Sequence, residues 1–206
     1  MTAVSGRSGG GPTRPAVAAP GLVRLIGGKW KRTPLNVSDR PSLRPTPNRV
    51  RKTLFDWLGH DLDGWIVYDA FAGSGALGLE AGSRGAARVT LCEQDNALAA
   101  GLKAVARRLD PQALTLHVER GDGVAALRRQ PSNSCDLVLL DPPFETGLHD
   151  PALAAAAGAL RVQGRIYLEA PTRWSLERLQ ALGLETLKYL HAGSVHAHLI
   201  GRLTIV

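Results

Sequence analysis

Residues 66–80 read Ile66-Val67-Tyr68-Asp69-Ala70-Phe71-Ala72-Gly73-Ser74-Gly75-Ala76-Leu77-Gly78-Leu79-Glu80, and this stretch decides the fold. An apolar run meets a glycine-rich turn, and an apolar stretch with helical periodicity follows. The spacing predicts a strand, a tight turn and a helix. Gly73 and Gly75 let the backbone turn sharply and present no Cβ to a ligand, while the start of the helix offers unpaired N–H groups. Such a turn suits a nucleotide-like ligand.

Two ligands compete for it. Gly73-Ser74-Gly75-Ala76-Leu77-Gly78 satisfies the dinucleotide pattern, and Glu93 ends the next strand at the distance expected of a ribose contact. The acidic residue ahead of the glycines favours the other. In Asp69-x-Phe71-x-Gly73-x-Gly75 a carboxylate stands at the mouth of the turn, where it repels a pyrophosphate and attracts an ammonium-bearing ligand. S-adenosylmethionine carries such a group. The plain alternative is a strand-to-helix turn with Asp69 as a helix-entry cap and no ligand.

Beyond this unit, strands and helices alternate, the pattern of a parallel sheet with helices on both faces. Strands are expected near 65–70, 88–93, 114–118, 136–140 and 164–169, and helices near 75–84, 95–109, 121–129, 149–159 and 173–181. Leu184–His191 and Val195–Ile205 flank Ala192-Gly193-Ser194, so the α/β sheet should close with an antiparallel hairpin. Ligands of such sheets sit beyond the carboxyl ends of the strands, which here supply Asp69, Glu93, Asp122 and Asp141. Glu93 suits two ribose hydroxyls, and Asp122 suits the adenine amino group, which needs an acceptor.

Upstream the composition changes. Residues 1–53 hold 11 Lys/Arg against one acid, whereas residues 54–206 hold 14 against 17, so the net charge of +7 divides into a front of +10 and a body of −3. A basic arm on an acidic body points to a polyanionic partner, with solubility alone as the bland reading. Residues 1–20, rich in Gly, Pro, Ala and Ser, are expected to be a flexible tail, residues 21–60 a basic extension, and residues 61–206 the main domain. Within the extension, Leu22-Val23-Arg24-Leu25-Ile26 and Leu35-Asn36-Val37 flank Gly27-Gly28 and a basic run, which suggests a hairpin. Thr46 is placed as an N-cap and Pro47 as the first residue of a helix in which Val50, Leu54, Trp57 and Leu58 share a buried face. The candidate nucleic-acid contacts are Arg24, Lys29, Trp30, Lys31, Arg32, Arg49, Arg51 and Lys52, with Trp30 either stacking on a base or closing the hairpin core.

At 206 residues the chain holds one full domain plus a small appendage. Cys92 and Cys135 lack disulfide or zinc spacing, no apolar run reaches the roughly 20 residues of a membrane span, and no secretory core opens the chain. The expectation is a soluble cytoplasmic monomer. His196 and His198 share a strand face but have no third ligand for a metal, and read as surface or edge-strand histidines.

After the apolar Leu137-Val138-Leu139-Leu140 comes Asp141-Pro142-Pro143-Phe144. Two prolines remove two donors and stiffen the chain, which leaves carbonyls and a carboxylate as acceptors. Methylating an exocyclic amine requires a lone pair otherwise delocalised into the base. Asp141 and the Pro142 carbonyl can hold its hydrogens in the pyramidal, nucleophilic geometry, Pro143 fixes the loop, and Phe144 can stack on the base. The transfer needs alignment more than a strong base.

These motifs together resemble a known family. Val23-Arg24-Leu25-Ile26-Gly27-Gly28, Leu43-Arg44-Pro45-Thr46-Pro47, Asp69-x-Phe71-Ala72-Gly73-Ser74-Gly75, Ser83-Arg84-Gly85-Ala86 and Asp141-Pro142-Pro143-Phe144, in this order, are similar to the bacterial small-subunit ribosomal RNA guanine-N2-methyltransferases of the RsmD type. The resemblance covers about residues 22–206 and implies a Rossmann-like S-adenosylmethionine-dependent fold. It further implies N2-methylguanine in 16S rRNA as product, made on the assembled or assembling small subunit, and places Arg44 and Thr46 against the cofactor pocket. Phe71 belongs to the cofactor motif. The sequence departs from the family at Ala70, where Leu is usual, and at Leu91-Cys92-Glu93. Rival readings are a DNA adenine-N6 methyltransferase, an NAD-dependent oxidoreductase and a non-catalytic RNA-binding module; the Asp-Pro-Pro-Phe loop by itself fits guanine or adenine.

Overall fold

The structure, a computed structural model, describes residues 22–36, 48–109 and 114–204. Nine strands and six α-helices follow one another in these segments. The first two strands, β1 (Leu22–Arg24) and β2 (Pro34–Asn36), pair antiparallel as the extension's hairpin, and α1 (Asn48–Leu58) follows. Then come β3 (Ile66–Asp69), α2 (Ala76–Ser83), β4 (Arg88–Glu93), α3 (Asn96–Arg108), β5 (Thr115–Arg120) and α4 (Gly123–Arg128). The rest is β6 (Cys135–Leu140), α5 (His149–Ala159), β7 (Leu160–Ala170), α6 (Leu176–Gln180), β8 (Leu184–Ala192) and β9 (Val195–Arg202). The anticipated tail and the Thr46-Pro47 helix start lie outside the described residues.

The large sheet has the order β5-β4-β3-β6-β7-β9-β8, parallel from β5 to β7 and antiparallel at β9 and β8. This is the expected α/β sheet with its terminal hairpin. Val67, Val89, Leu91 and Leu137–Leu140 are all but excluded from solvent, as strands covered on both faces must be. One face packs on α1, α2, α3 and the small hairpin through Leu35, Leu54, Leu79 and Leu102. The other packs on α4, α5 and α6 through Leu127, Leu153 and Leu179.

Two differences from the sequence reading have physical causes. β7 starts at Leu160, four residues earlier than expected, because Leu160 pairs with Cys135 before the register shifts at Leu137. β9 is an interior strand between β7 and β8, so His198 is buried and not an edge histidine; the outer edge belongs to β8, whose pairing with β9 slips between Thr186 and Lys188. No helix among the described residues is long and apolar enough to cross a membrane.

Candidate functional site

After β3 the chain runs to β4 and β5 on one side, then returns to β6 on the other side of β3. The crevice at such a switch point, beyond the strand carboxyl ends, is where open parallel sheets take ligands. Here it lies between the glycine turn after β3 and Asp141-Pro142-Pro143-Phe144 after β6, with Asp69 paired to Leu139, two residues before Asp141.

The turn is built from below. Gly73 and Gly75 adopt φ of 52° and 79°, which a side chain would strain. Asp69 is 1% exposed, and its carboxylate accepts the Gly78 N–H at 3.0 Å and a backbone hydrogen bond from Phe71. Burial pushes its pKa up to about 7, against the pull of these donors. Asp69 therefore lies under the turn and not at its mouth, which corrects the expected direct contact: its influence on a ligand passes through the backbone it holds.

Glu93, at the end of β4, is buried, and its two oxygens accept the N–H groups of Gly73 at 2.9 Å and Asp95 at 2.8 Å. An ionised carboxylate has about four lone-pair positions, so both oxygens keep capacity for hydroxyl donors. Asp122 caps α4 through Ala125 N–H at 2.7 Å and stays exposed. Gly123 beside it carries the loop over β3, since a Cβ there would sit 2.0 Å from the Ala70 carbonyl oxygen. Phe71 is half-buried against the second core. The ionisable side chains placed here, Asp69, Glu93 and Asp122, are carboxylates, and residues 69–78 contain no Lys or Arg. That donor set fits a ligand with ribose hydroxyls and an amino group, and repels a pyrophosphate.

On the β6 side, Asp141 is half-buried, Pro142 buried, Pro143 exposed and Phe144 half-buried. Phe144–Thr146 form one 3₁₀ turn, held by the Thr146 hydroxyl donating to the Pro143 carbonyl at 2.6 Å. Behind it lie groups that sequence reasoning left without a role or missed. His149, at the start of α5, is buried with its ring 6.0 Å from that of Phe144, and burial lowers its pKa. The Tyr167 hydroxyl donates to Glu169 at 2.8 Å, both side chains being buried. Burial, with the charges of Glu169 and Asp141, raises the phenol well above its ordinary value, so it remains a donor. The signal was Tyr167-Leu168-Glu169, two polar groups on alternate positions ending an apolar strand one place from β6.

The basic extension is fastened to α2. Glu80, fully buried, accepts the N–H groups of Ile26 and Gly27 at 2.7 Å each and pairs with Arg84 at 2.9 Å. Ser83 adds its hydroxyl, donating to Gly27 O at 2.6 Å and accepting Trp30 N–H at 2.9 Å. Arg24, Lys29, Lys31, Arg32, Arg49 and Lys52 are exposed, Lys52 beside Asp56 at 3.0 Å. Two candidates are corrected. Trp30 is 9% exposed and packs on Gly82 beneath the Lys29 ammonium, so it closes a core and does not offer a free stacking face. Arg51 is 0% exposed and donates to Arg24 O and Asn48 Oδ1, so it ties α1 to β1 and does not face a polyanion. Arg44 and Thr46 lie outside the described residues.

The protein-family model described as "Conserved hypothetical protein 95" matches residues 23–201. The chain is 39% identical over 189 residues to "Ribosomal RNA small subunit methyltransferase D" of Escherichia coli (strain K12), covering 82% of this chain and 90% of that one. It is 35% identical over 178 residues to the protein of the same name from Haemophilus influenzae, covering 81% and 92%. Among solved structures, a putative methyltransferase yhhF from Escherichia coli superposes with a TM-score of 0.75 at 35% identity, covering 88% of this chain and 98% of that one. A putative RNA methyltransferase from Pyrococcus horikoshii, at 20% identity and a TM-score of 0.65, shares the fold. With the glycine turn and the Asp-Pro-Pro-Phe loop facing each other across the switch point, and with these relatives spanning nearly all of the described chain, the chain belongs to the RsmD family of methyltransferases.

Proposed function

We propose that this protein transfers a methyl group from S-adenosylmethionine to the exocyclic N2 amine of a guanine in 16S rRNA, on the assembled or assembling small subunit. The observation that carries the reading is the pairing of a glycine turn underlain by Asp69 and Glu93 with Asp141-Pro142-Pro143-Phe144 at one switch point. The relatives named for ribosomal RNA small subunit methylation support the RNA substrate.

S-adenosylmethionine, when bound, supplies an electrophilic methyl on a sulfonium. Glu93 accepts from the ribose hydroxyls while its other lone pairs hold Gly73 and Asp95. Asp122 accepts from the adenine amine, and Phe71 flanks the turn. Asp141 and the Pro142 carbonyl accept the N–H groups of the target amine, which frees its lone pair toward the methyl. Phe144 stacks on the guanine, braced from behind by His149. Most of the barrier reduction comes from aligning nitrogen, methyl and sulfur.

The test is methyl transfer from labelled S-adenosylmethionine to small subunits lacking their own methylation, beside naked 16S rRNA and duplex DNA, followed by nucleoside analysis. Label in N2-methylguanosine supports the proposal. Label in DNA as N6-methyladenine, or none despite cofactor binding, overturns it.

A further inference from the structure

A series of ring contacts, an ion pair and hydrogen bonds leads from the Asp141-Pro142-Pro143-Phe144 loop toward the β8–β9 turn. Phe144 faces His149, and the next residue, Asp150, holds Arg178 through two contacts at 2.6 and 2.7 Å. The Arg178 guanidinium lies 3.9 Å from the centroid of the Trp174 ring, and the Trp174 backbone N–H donates to His198 Nε2 at 3.2 Å. His198 stands 5.1 Å from Tyr189, ring to ring. The guanidinium of Arg173 rests on that ring at 4.6 Å, and the Tyr189 hydroxyl contacts His196 Nδ1 at 2.7 Å. His191 completes the series, stacked on His196 at 4.2 Å with the planes 20° apart.

The outer members of this series are accessible. Arg173 and His191 are exposed, and Tyr189 and His196 are half-buried. Among the described residues no carboxylate lies within ion-pair distance of Arg173. The register fixes their distance from the chemistry. Leu140, just before Asp141, pairs with Leu168, and Ala170 pairs with His196, so the platform begins two strands from Asp141, about 10 Å at ordinary strand spacing. Partial burial and the adjacent His191 hold His196 below its ordinary pKa, which favours its neutral imidazole as a stacking face beside the fixed cation of Arg173.

We propose that Arg173, Tyr189, His191 and His196 form a docking platform for the single-stranded rRNA next to the target base, with rings stacking on flanking bases and Arg173 on their phosphate. Flat rings beside an exposed guanidinium suit unstacked nucleotides, because every base has a π-face and every linkage a charge. The inference rests on the rRNA reading above, and assigns RNA contact to the β8–β9 hairpin, on which α1 of the basic extension packs, a surface that the charge pattern of the sequence did not indicate.

The test compares wild type with Arg173→Gln, His191→Ala and the double variant, measuring KM and kcat of methyl transfer to unmethylated small subunits and binding to naked 16S rRNA over a range of salt. The double variant is expected to raise KM and weaken rRNA binding roughly tenfold, with kcat within about twofold. Arg173→Gln alone should flatten the log-log salt slope by about 0.7, and His191→Ala should leave the slope unchanged. The melting shift caused by S-adenosylhomocysteine should be the same in all four proteins, which separates docking from folding and from the cofactor site. Unchanged KM, rRNA affinity and salt slope overturn the platform while leaving the proposed function intact. A loss on assembled subunits without any loss on naked rRNA also overturns it, and assigns the surface to a ribosomal protein. Failure of the wild type to act on rRNA overturns both.

Discussion

Gly27 donates its backbone N–H to one carboxylate oxygen of Glu80 at 2.7 Å, across 53 residues of sequence. The other oxygen takes Ile26 in the same way, so one buried carboxylate joins the basic extension to the helix that follows the cofactor turn. Removing it orphans two N–H groups and the Arg84 guanidinium. Glu80→Ala is expected to cost about 3 kcal/mol by urea unfolding, with Glu80→Gln recovering part of it. A loss under about 0.5 kcal/mol, the level of an ordinary surface change, would show that the extension is held elsewhere.

Asp141→Ala is expected to reduce kcat for rRNA by roughly 100-fold or more, while the affinity for S-adenosylhomocysteine stays within a few-fold, because the proposed function puts Asp141 on the amine and Glu93 on the cofactor. Isothermal titration beside a methyl-transfer assay checks both halves. Full activity in the variant removes the mechanism.

Gly123→Ala places a Cβ against the Ala70 carbonyl oxygen at 2.0 Å, backbone that cannot step aside cheaply. The loop bearing Asp122 must lift from β3. The expected result is a smaller melting shift with S-adenosylhomocysteine than in the wild type, on top of a lower melting temperature. A shift equal to that of the wild type would separate Asp122 from the cofactor.

Two buried groups give opposite pH slopes. Asp69 has its folded pKa raised to about 7, so between about pH 4 and 7 the folded state holds a proton that the unfolded state has lost, and stability falls as pH rises. His198 has its folded pKa lowered to about 4, so between about pH 4 and 6.5 the unfolded state holds the extra proton and stability rises with pH. Each contributes about 1.4 kcal/mol per pH unit where its difference is one full proton. Their slopes oppose each other below pH 6.5. Relative to wild type, His198→Gln should tilt the stability profile downward between pH 4 and 6.5, and Asp69→Asn should tilt it upward between pH 4 and 7, both read from urea midpoints. Parallel profiles for the two variants would contradict the assignment.

Much of this site is legible in the residues alone, and the exceptions share a cause. Gly73, Gly75 and the Asp141 loop announce themselves because turn geometry and lost donors are local properties. Glu93 follows from strand length. Asp69 was read to the wrong side because the sequence does not say whether the last side chain of a strand points up to a ligand or under the turn. Trp30 could not be decided from its basic neighbours: the groups that bury it, Gly82 and Ser83, lie more than 50 residues away. Arg51 was misread through its charge, although Arg51, Leu54, Phe55 and Leu58 share one helical face, and that face turns inward. Tyr167, Glu169 and the Tyr189–His196 contacts depend on the order of strands in the sheet, which the alternation of elements leaves open.

The slip in pairing between Thr186 and Lys188 falls on β8, the outer strand at the hairpin end of the sheet. A regular nine-residue outer strand would be a template on which a second chain could build. The irregularity bends that template, and the exposed Lys188 beside it would be trapped without water by any strand laid alongside. The sheet therefore ends where it ends: this edge resists fibre growth and strand exchange at high concentration, a safeguard contained within the hairpin itself.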